Sequence, residues 1–227
     1  AIEAPDMLPW STWTREIAAD QQDFRRPVPD PGDVSLGPIM EWLSDYLPQD
    51  AILTNGGGTY TLWLLRHYRF RRFGSQLAPA SGSMGYGLPA AISAKVVHPD
   101  RPVIAFAGDG CFLMVGQELA TAVQYGLPII VVVINDGSYG SIRLHQERRY
   151  PHRVSGTDLV NPDFVAYARS FGIEAERIEK TEQFAAAFER AYGSGKPALI
   201  EITLSPEAMG PGRTLSAERG KLLQKAS

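Results

Sequence analysis

Two aspartates sit in short glycine-bounded loops, Asp109 in Gly108-Asp109-Gly110 and Asp136 in Asn135-Asp136-Gly137, 27 positions apart. Each ends a short β-branched apolar run, Val103 to Ala107 and Ile129 to Ile134. Such runs, bounded by Gly or Pro, read as fully buried parallel strands. Between them lies a helical segment carrying Gln117-Glu118-Leu119-Ala120-Thr121-Ala122. Strand, crossover helix and parallel strand form one right-handed unit, which brings both carboxylates to the carboxyl ends of neighbouring strands. Open α/β sheets bind ligands at that edge. Two carboxylates on one rim suit a hard divalent cation, and magnesium completes its octahedron with waters and substrate phosphates. The segment after Gly110 is expected to open a helix whose free amides favour a diphosphate at the same rim.

The elements that must position this pair are legible around it. A helix is expected from Gly37 to Leu47, its apolar face made by Ile39, Met40, Trp42, Leu43 and Tyr46, with Pro48 as its stop. Ala51 to Thr54 reads as a strand ending in Asn55-Gly56-Gly57-Gly58-Thr59, before a helical run from Tyr60 to Tyr68. Three glycines there allow close backbone approach to an anion, and they equally suit a loose turn. Asn161-Pro162-Asp163 is expected to cap a helix that buries Phe164, Val165, Ala168 and Phe171. Thr181-Glu182 caps another, with Phe184, Ala187, Phe188 and Ala191 inside, and Pro197 to Leu204 reads as the last strand. The fold class is α/β: a three-layer open sheet of mostly parallel strands with helices on both faces.

Residues 1–34 carry five prolines and read as a linker or the remnant of a preceding domain. Trp10 and Trp13 within it are expected to dock on the domain's own surface or a neighbour. Residues 35–205 form the main domain, and the polar tail 206–227 is expected to be a mobile arm or lid. The first residue is Ala1, in keeping with a piece of a longer chain, and AIEAPDMLPW lacks the charged and apolar regions of a signal peptide.

A net charge of −3 gives no electrostatic reason for nucleic acid or an anionic membrane, and no apolar run approaches a membrane span. The basic cluster Arg66, Arg69, Arg71 and Arg72 reads as a solvated helix end. One cysteine, Cys111, excludes an internal disulfide and suits a reducing, cytoplasmic setting. It reads as a small buried residue rather than a catalytic thiol. Gly85-Tyr86-Gly87-Leu88-Pro89-Ala90 satisfies the G-x-G-x-x-A dinucleotide fingerprint. No clear strand precedes it, however, and no acidic ribose reader follows a second strand, so a nicotinamide cofactor is not expected.

Taken together, the GDG loop, the QELATA helix and the Asn-Asp pair at that spacing resemble the thiamine diphosphate signature of the acetolactate synthase and pyruvate decarboxylase superfamily. The resemblance covers roughly Gly37 to Leu204. It implies magnesium held by Asp109, Asp136 and the carbonyl of Ser138. Asp136 departs from the commoner pattern, where asparagine stands, and adds a negative charge that favours the cation and opposes the diphosphate. The stretch Gly82-Ser83-Met84-Gly85-Tyr86-Gly87 is similar to the family segment that receives the aminopyrimidine. On that likeness Gly82 accepts from the ring through its carbonyl, and Met84 wedges beneath the bent cofactor; packing in the core is the alternative role for this thioether. The cofactor-binding set implied is Gly58, Thr59, Gly82, Ser83, Met84, Gly108, Asp109, Gly110, Cys111, Asp136, Ser138, Tyr139 and Gly140. His145 and Gln146 would border the substrate, although a lone histidine in a polar stretch is more often simply exposed.

The same likeness implies decarboxylation of a 2-oxo acid or acetolactate synthase-like carboligation, in a homodimer or homotetramer. It also implies a glutamate on a separate pyrimidine-binding domain of the same or a partner subunit. Nothing in this chain resembles that domain, and Glu118 is not its glutamate, so no catalytic residue is assigned here and the fragment alone is expected to be inactive. The alternative from another class is a non-enzymatic magnesium- or nucleotide-binding or oligomerisation module.

Overall fold

The structure, a computed structural model, describes residues 10–225. Six parallel strands form its central sheet in the order β2-β1-β3-β4-β6-β5. They are β1 (Ile52–Asn55), β2 (Gln76–Leu77), β3 (Val103–Gly108), β4 (Ile129–Asn135), β5 (Glu174–Ile178) and β6 (Ala198–Thr203). The apolar run from Val103 pairs in parallel with that from Ile129, Val103 facing Ile129 and Gly108 facing Ile134. Every residue of β1 is buried, as are the apolar stretches of β3, β4 and β6, so both faces of the sheet are covered.

Right-handed crossovers decide which helix lies on which face. Chain moving from β1 to β2 and from β5 to β6 runs one way across the sheet; chain entering β3, β4 and β5 runs the other way. Helices α3 (Thr61–His67) and α9 (Gln183–Gly193) therefore share one face, with α2 (Leu36–Tyr46) packed against both. On the opposite face lie α4 (Gly87–Val97), α6 (Leu119–Gln124) and α8 (Phe164–Ser170). The direction reverses between β1 and β3, so their loops leave toward opposite faces and open a crevice at the sheet's carboxyl edge. That crevice is bounded by Gly56 to Gly58 on one side and by Gly108 to Gly110 on the other.

Several expectations are corrected. Residues 11–25 are not extended linker: Ser11–Arg25 forms helix α1, in a stretch free of proline and glycine between Pro9 and Pro27. No residue of α1 is buried, and Trp10 and Trp13 are 53% and 64% exposed, so neither docks on the domain. Three contacts tie the end of α1 to α3: His67 Nδ1 with the Arg25 carbonyl at 2.8 Å, Arg66 Nε donating to the Phe24 carbonyl, and the Arg66 guanidinium over the Phe24 ring. Pro5, Pro9 and the opening ten-residue stretch read against a signal peptide lie, but for Trp10, outside the described residues.

The tail is not a free arm either. After β6 come β7 (Ala208–Gly210) and β8 (Arg213–Thr214), which pair antiparallel, and then α10 (Leu215–Lys225). Met209 and Leu215 bury themselves with Leu144 of α7 (Gly140–Arg149) in a second small core. The tail's polar composition conceals its buried Ala208, Met209 and Leu215. Strand β5 also escaped the pattern, because it is an edge strand carrying Glu174, Glu176 and Arg177 among its five residues. The cap of α8 is Asp163, which accepts from the Ala166 amide, and not Asn161. The basic cluster beside α3 is not simply solvated: Arg69 and Arg71 pair with Asp45, and Arg72 with Asp50. Among the described residues no helix is long and apolar enough to cross a membrane.

Candidate cofactor and metal site

Asp109 begins a five-residue helix, α5 (Asp109–Leu113), which gives way to a tight turn at Gly116–Glu118 before α6. The helix expected after Gly110 does form, but it is broken after five residues and too short for its amide end to hold an anion by itself. What fixes Asp109 is a set of donors. Its Oδ1 accepts from the Gly110 amide at 2.7 Å, and its Oδ2 accepts from the Gly137 amide at 2.9 Å and from Asn161 Nδ2 at 2.7 Å. The second of these crosses from the β3 loop to the β4 loop, so the two aspartates share one rim. Asp136 folds back on its own turn: its Oδ1 accepts from the Ser138 amide at 3.0 Å and from the Ser138 hydroxyl at 3.2 Å. No described residue donates to the Ser138 carbonyl.

Burial pushes the Asp109 carboxyl above its ordinary range despite its donors. For Asp136, burial and then the neighbouring Asp109 charge raise the value to about 7. A carboxyl raised on folding contributes stability while it keeps its proton, and that contribution is lost as pH rises through the folded value. The cation-free protein is therefore expected to melt on the order of 5 °C lower at about pH 8 than at about pH 5. Asp136→Asn should flatten that slope, and a thermal melt series in chelator checks it. The lowered carboxyls of Glu147 and Glu176 act in the opposite sense only as pH falls into the ordinary carboxylate range, whereas His67, lowered chiefly by burial, offsets part of the slope within the window.

Around the pair lies a cavity of about 590 Å³. Of the residues implied by the family resemblance, Gly58, Thr59, Gly82, Met84, Gly108, Asp109, Gly110, Cys111, Asp136, Ser138, Tyr139 and Gly140 line it. Ser83 does not; its hydroxyl pairs with Ser81 and its carbonyl accepts from the Gly57 amide. His145 and Glu118 also lie outside the lining, and His145 is exposed. Two contributors were not read from the sequence. Asn161 reads in the sequence as a helix cap, and only its position across from two acceptors reveals its role. Tyr60, 4% exposed, accepts from the Gly56 amide and donates to the Phe106 carbonyl, so its ring supports the first glycine loop.

The glycines leave room that side chains would fill. A Cβ on Gly110 would lie 2.6 Å from the Tyr139 ring and 3.4 Å from the Met84 methyl. At Gly140 it would approach Asp136 Oδ2 at 3.1 Å and the Thr59 hydroxyl at 3.3 Å. Gly110 thus lies against Tyr139 and Met84, and Gly140 against Asp136 and Thr59, all in the lining of the one cavity. The Gly56–Gly58 loop is no loose turn, since a Cβ on Gly57 would sit 2.0 Å from the Gly82 carbonyl oxygen. Cys111 stitches the same loop by donating its thiol to the Gly57 carbonyl at 2.9 Å. Gly57→Ala is accordingly expected to cost about 1–3 kcal/mol, because two backbone loops must part. An unchanged melting temperature would contradict this packing.

The donor set suits a divalent cation completed from outside. No group of three or more His, Cys, Asp or Glu side chains that could hold a metal occurs among the described residues. Two carboxylates and one free carbonyl would offer three oxygens to such a cation, leaving its other positions to phosphate and water. The described lining contains no lysine, arginine or histidine. An anion in this crevice would depend on backbone amides and on a cation beside it.

Comparison with known proteins agrees with this geometry. A family profile described as "Thiamine pyrophosphate enzyme, C-terminal TPP binding domain" matches residues 56–202. The chain is 35% identical over 196 residues to the acetolactate synthase large subunit of Parasynechococcus marenigrum, covering 85% of this chain and 31% of that protein. It is 31% identical over 219 residues to the acetolactate synthase isozyme 2 large subunit of Escherichia coli, covering 95% of this chain and 40% of that one. Among solved structures it resembles the thiamine diphosphate-dependent 4-hydroxybenzoylformate decarboxylase of Rhodococcus jostii RHA1, with a TM-score of 0.74 and 30% identity. That match covers 81% of this chain and 35% of the decarboxylase, so the chain spans about a third of the length of these relatives.

Proposed function

Because the chain belongs to the thiamine pyrophosphate enzymes, as their C-terminal cofactor-binding domain, we propose that it grips magnesium thiamine diphosphate for an enzyme acting on 2-oxo acids. The observation that carries this reading is the pair of carboxylates on one rim, Asp109 buried and Asp136 half-buried, in a described lining that offers no basic side chain. A divalent cation relieves their repulsion and supplies the positive charge that a diphosphate needs there.

In this reading Asp109, Asp136 and the Ser138 carbonyl hold the cation. Gly58 and Thr59 approach the diphosphate from the β1 loop, and the Gly108–Gly110 loop approaches from β3. Met84 packs beside Gly110 and supports the ring system from below. When bound, thiamine diphosphate supplies an electron sink for the breaking carbon–carbon bond of a 2-oxo acid. The chain's own part is to hold the cofactor, fix its orientation and dry its diphosphate end. Leu65 and Ile142 line the cavity yet remain 55% and 48% exposed, which supports a second domain closing the mouth. We assign that role to a pyrimidine-binding domain of the same or a partner subunit, within a cytoplasmic homodimer or homotetramer. Decarboxylation alone and carboligation of two acids both suit this arrangement.

The test is turnover with and without that domain. This chain alone should bind magnesium thiamine diphosphate weakly and release no carbon dioxide from pyruvate or a bulkier 2-oxo acid. Co-expression with a pyrimidine-domain chain should bring release above background. Release by the isolated chain, or indifference to the added domain across the acids tried, contradicts the proposal.

A further inference from the structure

Strand β6 is apolar but for Glu201, which is 1% exposed, and the exposed Thr203 at its end. A carboxylate so placed is costly unless every oxygen is paired. Its Oε2 accepts from Arg177 Nε on β5 at 2.9 Å, and its Oε1 accepts from Asn135 Nδ2 at the end of β4 at 2.7 Å. That second bond settles which way the Asn135 amide faces, since only the NH₂ end can meet the carboxylate. Asn135 Oδ1 must then point away from Glu201, where it accepts from Asn161 Nδ2 at 2.8 Å and from the Gly137 amide at 3.2 Å.

Asn161 in turn has no choice. Its NH₂ group reaches both Asn135 Oδ1 and Asp109 Oδ2, two acceptors that would repel the amide oxygen. The consequence is visible on its far side, where Asn161 Oδ1 is buried with no hydrogen-bond partner among the described residues. An amide that leaves its own oxygen unsatisfied is being held by something stronger. Gly137 repeats the pattern, its amide shared between Asn135 Oδ1 and Asp109 Oδ2. The relay Arg177, Glu201, Asn135, Asn161, Asp109 runs across neighbouring strands β5, β6, β4 and β3 just beneath the crevice.

We propose that Glu201 is a positioning residue for the cation site: its buried charge orients Asn135 and Asn161 so that Asp109 is clamped with its free lone pairs toward the rim. This rests on the reading of Asp109 as a cation ligand. Arg177 pairs with Glu201 through Nε and with the exposed Asp163 through its terminal nitrogen, which links the buried carboxylate to the surface. Outer partners of a metal ligand commonly govern affinity without touching the metal.

The test uses the whole chain and manganese as the probe, read by electron paramagnetic resonance. Side-chain amide NMR signals of Asn135 and Asn161 give a readout that needs no cation. In Glu201→Gln the neutral amide can turn either way, so the Asn161 signals should shift and manganese affinity should fall about 10- to 100-fold. Ile200→Val, a destabilising change in the buried neighbour on the same strand, should move neither. Asn161→Ala cuts the relay beside Asp109; it should weaken manganese comparably, and the two losses should not add when combined. Should Glu201→Gln fail to fold, Asn161→Ala decides alone, and wild-type affinity in it overturns the proposal. Unmoved Asn161 signals in Glu201→Gln, an equal loss in Ile200→Val, or additive losses would each overturn it. If the wild-type chain takes no manganese, it is the cation reading that fails. The Asn161 signals then judge the relay: a shift in Glu201→Gln sustains it, and none defeats it.

Discussion

Asp109→Ala is expected to lower divalent-cation affinity by at least about 100-fold, more than the loss of an outer partner would. The change removes one of the two proposed side-chain ligands and strands the Gly110 amide, while the Gly137 amide and Asn161 Nδ2 keep only Asn135 Oδ1. Asp109 is 3% exposed, and the Gly110 amide, the Gly137 amide and Asn161 Nδ2 all end on it. Buried donors left unpaired cost about 1–3 kcal/mol each, although losses in one cluster do not add. Relief of the repulsion with Asp136 offsets part of that cost, so the variant should fold but melt lower. Asp109→Asn separates the two effects. It keeps an oxygen for part of the donor set and removes the charge, so cation affinity should collapse with a smaller fall in melting temperature. Calorimetric titration with magnesium and thiamine diphosphate, beside a melt in chelator, reads both. Wild-type affinity in either variant contradicts the site.

The second large effect lies away from the crevice. Arg219→Ala is expected to destabilise the protein by about 2–4 kcal/mol at neutral pH, through the buried charge it leaves behind. Glu147 on α7 is 1% exposed and receives a two-pronged guanidinium from Arg219 of α10, with Nε to Oε2 at 2.9 Å. Among the described residues only the His152 amide, at 3.0 Å, would remain. Arg219 is itself 28% exposed, which admits water and holds the figure below that of a fully buried pair. Arg219 is also the largest cause of the lowered Glu147 carboxyl. A lowered carboxyl contributes stability above its unfolded value and loses it as pH falls through the folded one. The penalty of Arg219→Ala should therefore shrink as pH is taken below about 4. Urea unfolding at the two pH values checks this, and a penalty independent of pH would contradict the pairing. The neighbouring contact of Arg148 with Glu218 fastens the same two helices, so the segment beyond Leu204 belongs to the fold.

What the sequence made legible was whatever repeats with a short period. The apolar runs of β3 and β4 are buried on both faces, so each reads as an uninterrupted strand, and a glycine loop marks where each one stops. That suffices to bring Asp109 and Asp136 to one edge. The first glycine loop was located, but its tightness was not, because the 2.0 Å approach of a Gly57 Cβ to Gly82 joins residues 25 positions apart in the chain. Asn161 escaped for the same reason: beside a proline it reads as a cap, while its partners lie on loops 26 and 52 positions away. Strand β5 was hidden because an edge strand exposes one side and fills it with charge. The tail was misread because composition averages over Ala208, Met209 and Leu215, three buried anchors in a polar stretch. Helix α1 forms without burying a side chain, so no apolar stripe announced it. Long-range partners and solvent-facing elements are what local pattern cannot supply.

The central claim is that one cation, shared by Asp109 and Asp136, anchors the diphosphate. The most direct measurement is phosphorus NMR of thiamine diphosphate titrated with manganese in the presence of this chain. Protein-dependent paramagnetic broadening of both phosphorus signals, abolished by Asp109→Ala and by Asp136→Ala, is the expected result. Cofactor binding that survives chelation of every divalent cation, or broadening untouched by both substitutions, would contradict the account.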